Sequence, residues 1–108
     1  MLTSGLTQKE LDFIEELELM EEMLLDKIPN LANDLIAKGL TYLAHDYITM
    51  GLEEKGHLLL LKADELYPGY HKTKMAEDMK NDPDFAILVR SLSAELILVA
   101  LSTARDSR

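Results

Sequence analysis

Apolar residues recur every three or four positions along most of the chain, and strand-like alternation is nowhere sustained. Phe13, Leu17, Met20, Leu24 and Ile28 form one such row, widened by Ile14, and predict a first helix over 8–27. Thr7 and Glu10 mark its start as a capping box: the Thr7 side chain accepts from the Glu10 backbone, and Glu10 reaches back to Thr7. Leu6 is placed to pack on Leu11, and Pro29-Asn30 ends the helix. A second helix is predicted over 31–50, with Ile36, Leu40, Leu43, Tyr47 and Met50 near one face and Gly51 as its stop. A third covers 53–66 and closes at Pro68-Gly69. Tyr70 to Lys80 holds helix formers but few large apolar residues, which predicts a short helix. Asn81-Asp82-Pro83 then opens the last helix, over 83–104, with Asp82 as cap and Pro83 in the first turn, where its missing N–H costs nothing. The pattern predicts a single all-α domain of 108 residues built from about five helices.

The middle of the chain carries a more specific order of large and small residues. Leu40 and Leu43 are followed by Ala44 and Tyr47, Gly51 stands at the turn, and Gly56, Leu60 and Ala63 line one face of the next helix before Pro68. With this spacing, residues 37–70 resemble one tetratricopeptide repeat (TPR), a helix–turn–helix unit. Leu40 replaces the family's frequent tryptophan and Leu60 an aromatic, both keeping the apolar role. Close packing explains the order, because antiparallel helices approach only where facing side chains are small, here Ala44, Gly56 and Ala63. The frame does not continue into the flanks, and a lone repeat cannot bury its own faces, so the first and last helices are expected to cover it. The resemblance implies a surface that binds proteins or peptides along the face of its first helix, which would present Lys38, Thr41, His45, Ile48 and Thr49. Thr41 and His45 stand where the carboxylate-clamping members carry lysine and asparagine, so that ligand is not expected.

In the last helix, Phe85, Leu88, Leu92, Leu96 and Val99 make one apolar stripe, and Ile87, Ala94, Leu98 and Leu101 make another. A helix apolar on both sides is either central in the core or paired with a second chain. The favoured expectation is a homodimer whose interface includes Leu92, Leu96, Leu98, Val99 and Leu101.

Net charge of −9 changes the picture of partners. Eight acids against Lys9 and Lys27 put residues 1–28 at −6, leaving −3 for the rest. Such a surface repels phosphates, so no direct nucleic-acid partner is expected. The chief reading of these acids is a solvated helix face; the alternative is an acidic inhibitor or polyanion mimic acting through the first helix. Cysteine is absent, so disulfides and thiolate metal sites are ruled out. Met1–Thr7 lacks the basic start and apolar core of a signal peptide. Phe85 to Leu101 is interrupted by Arg90, Ser91, Ser93 and Glu95, so no membrane span is expected and the cytoplasm is the expected location.

Candidate chemistry is thin. Glu54-x-x-His57 has the spacing of a di-iron helix motif, but such a bundle needs two of them plus two further glutamates. His45 and His57 fall on opposite sides of the Gly51 turn and are not expected to converge. His45-Asp46 lacks the spacing of an oriented pair, His71 sits in a basic turn with Lys72 and Lys74 and is expected to be solvated, and no glycine-rich phosphate loop is present. The expectation is a small protein–protein interaction module without catalysis, cofactor or metal, with a helical metal-binding enzyme or regulator as the remaining alternative.

Overall fold

The computed structural model describes the backbone of residues 7–27 and 32–106 and the side chains of 7–26 and 32–99. Every regular element among the described residues is helical: α1 (Gln8–Glu22) running into a π-helical turn (Met23–Lys27), α2 (Asn33–Thr49), α3 (Glu53–Leu66), α4 (Lys74–Asn81), α5 (Pro83–Ser91) and α6 (Ser93–Asp106). No helix among them is long and apolar enough to cross a membrane. The Thr7–Glu10 capping box forms, with Glu10 N–H donating to Thr7 Oγ1 at 3.1 Å and Thr7 N–H donating to Glu10 Oε1 at 2.9 Å. Leu6, Ile28, Pro29 and Asn30 lie outside the described residues.

The α2–α3 hairpin forms the centre. Gly51 turns the chain with φ +87°, a conformation that disfavours any residue with a Cβ. Ala44, Gly56 and Ala63 are buried at the helix contact, and Tyr47 and Leu60 fill the space beside them. A Cβ on Gly56 would stand 2.9 Å from the Ala44 carbonyl oxygen, so the close approach depends on glycine. Asn33 Nδ2 donates to the Leu66 carbonyl at 3.0 Å and ties the open end of the hairpin. The flanking elements cover the pair: α1, its π turn, α4 and α5 lie against α2, and α6 lies against α3.

The predicted last helix is two helices, which makes six instead of about five. The break falls at Ser91-Leu92-Ser93. Leu92 leaves the helical region at φ −98°, ψ 6°, and Ser91 Oγ donates to the Leu88 carbonyl at 2.8 Å. A serine hydroxyl bonded back to the preceding turn competes with the helix ladder and bends it. The bend keeps the Phe85, Leu88, Leu92, Leu96 and Val99 stripe buried throughout, whereas Ile87, Ala94 and Leu98 face outward.

Asp82 holds the α4–α5 corner. It caps α5 by accepting from Phe85 N–H at 3.2 Å, with Pro83 in the first turn as the sequence requires. The same carboxylate accepts from the Tyr42 hydroxyl at 2.8 Å and pairs with Lys38 at 3.1 Å. The Tyr42 hydroxyl, the Phe85 N–H and Lys38 hold it below the ordinary carboxylate range. Burial, helped by Asp82, pushes the Tyr42 phenol up to about 12.

Candidate functional site

The face of α2 read as a partner surface is largely taken by the chain itself. Thr41 is fully buried and donates to the Ala37 carbonyl at 2.9 Å. Lys38 is engaged by Asp82, and its ammonium lies 5.4 Å from the centre of the Phe85 ring. Ile48 packs against Gly56. His45 is half-buried, with Nδ1 3.6 Å from Asp46 Oδ1, and Thr49 alone of the five is exposed. Lys38 is drawn in by the aspartate that caps α5, and Ile48 is covered by α3.

The residues read as a dimer interface also divide. Leu92, Leu96 and Val99 are core residues of the single chain, whereas Leu98 is 55% exposed. The Leu101 side chain lies outside those described. The outward apolar residues here are Ile87, Ile97 and Leu98.

A concave apolar surface lies elsewhere, between α1 with its π turn and α2. It is an open cleft of about 420 Å³ lined by Met20, Met23, Leu24, Gly39, Tyr42, Leu43 and Asp46. Leu24 reaches over Gly39 so closely that a Cβ there would stand 2.9 Å from Leu24 Cδ1. Met20 is 45% and Met23 42% exposed. A second hollow of similar size, lined by Thr7, Lys9, Glu10, Phe13 and Met50, lies at the opposite end of the same two helices. Phe13 and Met20 were expected to face the core with Leu17; only Leu17 is buried. The stripe was legible, but its share of solvent depends on how loosely α1 sits on α2. Gly39 was the missed signal: glycine inside a helix costs ~1 kcal/mol against alanine and, like Gly56, marks a close approach.

The polar interior does not gather into a metal site. Among the described residues no three His, Asp or Glu side chains are placed to hold an ion. Glu54 is exposed, and His57 is half-buried with an unpartnered Nε2. His71, expected in solvent, has a side chain only 3% exposed, with Nδ1 3.7 Å from Asp64 Oδ1 and its ring edge-on to Tyr70. Burial lowers its pKa and Asp64 partly opposes the shift. The basic neighbours suggested solvent, but the turn after α3 folds the imidazole against that helix. Beside it the Tyr70 hydroxyl donates to Asp78 Oδ2 at 2.7 Å, and burial followed by Asp78 raises the phenol's pKa strongly. The Tyr70–Asp78 bond ties the turn after α3 to α4, and both His71 ring nitrogens are buried without a hydrogen-bond partner.

Compared with family models, with curated proteins and with solved structures, the chain matches none.

Proposed function

We propose that this chain is a small non-catalytic interaction module that receives a helical segment of another protein in the cleft between α1 and α2. One observation carries the reading: two thioether side chains, Met20 and Met23, stand more than 40% exposed along a concave apolar floor. Methionine is flexible and polarisable, which suits a groove that adapts to an apolar helix face. The repeat-like hairpin is the rigid support of this surface, supported by the small residues Ala44, Gly56 and Ala63 at its contact. Contact therefore moves from the Lys38–Thr49 face, most of which is occupied, to the neighbouring edge of α2.

Selection of helical peptides from a display library tests it. The wild-type chain is expected to enrich sequences with apolar residues at helical spacing, and Met20→Glu/Met23→Glu is expected to lose them. No enrichment, or enrichment indifferent to the double substitution, overturns the reading.

Homodimerisation is part of the proposal, now through the outward residues Ile87, Ile97 and Leu98 of α5 and α6. The acidic-mimic reading keeps one observation in its favour, the exposure of Glu15, Glu16 and Glu18 on α1. It differs in outcome, because binding by mimicry weakens steeply with salt and ignores Met20 and Met23.

A further inference from the structure

Among the side chains described, the charged groups at the cleft are acidic, and that bears on what enters it. Glu16 lies one helical turn before Met20 on the same row of α1 and is exposed. Asp46 lines the cleft from α2. Neither pairs with a lysine or arginine among the described residues; the Asp46 carboxylate lies 3.6 Å from His45 Nδ1. Lys38, the nearby cation of α2, is held by Asp82. Lys9 stands one hollow further along, past Phe13.

We infer that the partner segment is a cationic amphipathic helix, its apolar face on Met20, Met23 and the Gly39 floor and its lysines or arginines beside Glu16 and Asp46. This rests on the cleft being the binding site. A second copy is the poorer occupant, since it would bring another −6 of residues 1–28 to the same acidic rim. Two demands shape the partner: the methionines select an apolar stripe, and the unpaired carboxylates select the charge flanking it.

The test uses the full chain and three fluorescein-labelled peptides of about four turns, sharing one leucine stripe and differing in their flanking residues, all lysine, all glutamine or all glutamate. Fluorescence anisotropy is read at low and at physiological salt. The lysine peptide is expected to bind at least about tenfold more tightly than the glutamine peptide, and the glutamate peptide more weakly still. Glu16→Gln/Asp46→Asn is expected to close most of the lysine–glutamine gap while leaving the glutamine peptide's affinity in place. Met20→Glu/Met23→Glu, which adds negative charge, is expected to weaken the lysine peptide; unchanged or tighter binding would mean bulk charge attraction and overturn the inference. Equal binding of the lysine and glutamine peptides overturns the cationic partner but leaves the cleft as a docking site. Binding of none of the three overturns both. Self-association lost on Met20→Glu would instead make a second copy the occupant.

Discussion

Gly56 sits directly beneath Ile48 of the preceding helix, and a Cβ in its place would collide with Ile48 Cγ1 and stand 2.9 Å from both Ile48 Cδ1 and the Ala44 carbonyl oxygen. The β-branched isoleucine has little rotamer freedom in a helix, and the carbonyl belongs to the α2 backbone. Gly56→Leu is therefore expected to destabilise by about 1–3 kcal/mol through overpacking. Gly56→Ala loses less, because alanine adds only the Cβ and leucine three further carbons to the same contact. Urea unfolding of the three proteins checks the order, and a leucine variant as stable as wild type would remove the close-packing claim.

Asp82 is the second junction, with α2, through Tyr42 and Lys38, and α5, through the Phe85 N–H, meeting on one carboxylate. Asp82→Ala is expected to lower the melting temperature more than Tyr42→Phe, since it removes the helix cap together with the tyrosine's acceptor. Because the folded state depresses the Asp82 pKa, its contribution is present above the ordinary value of 3.8 and is lost as the pH falls below it. Melting curves between neutral and strongly acidic pH should converge for wild type and Asp82→Ala.

His71 gives a separate pH signature. Its folded pKa lies below 6.5, so the unfolded chain binds the proton more readily. Stability from the neutral ring is present above pH 6.5 and declines as the pH falls below it. A His71 resonance in NMR titrating above its ordinary value would contradict the burial, and His71→Asn is expected to flatten the melting-temperature profile in that window.

Two leucines, one at the α5–α6 break and one on α6, should behave oppositely. Leu92 is 1% exposed, and Leu92→Ala is expected to cost about 2–5 kcal/mol by leaving a cavity. Leu98 is 55% exposed, and Leu98→Ala should stay within about 0.5 kcal/mol of wild type. Light scattering on Leu98→Asp separates surface from interface: a folded monomer beside a wild-type dimer identifies the α5–α6 face as the contact, and two identical masses exclude it.

Local rules acted where a few adjacent residues settle the outcome. The Thr7–Glu10 box, the Gly51 turn and the Asp82-Pro83 start each concern groups within a turn or two of one another, and all were legible in the chain. The small-residue contact of Ala44 with Gly56 was legible too, because glycine inside a helix has few other uses. Tertiary structure alone decided which of several equivalent apolar rows would be covered. Met20 and Leu17 are alike in the sequence pattern, yet one is in solvent and the other in the core, depending on the angle at which α1 lies on α2. Likewise Lys38 is engaged because the Asp82 cap of α5 comes to it, and His71 is buried because its turn closes on α3. Periodicity states that a face is apolar, whereas burial depends on the area that distant segments bring to it, and that area is a property of their packing.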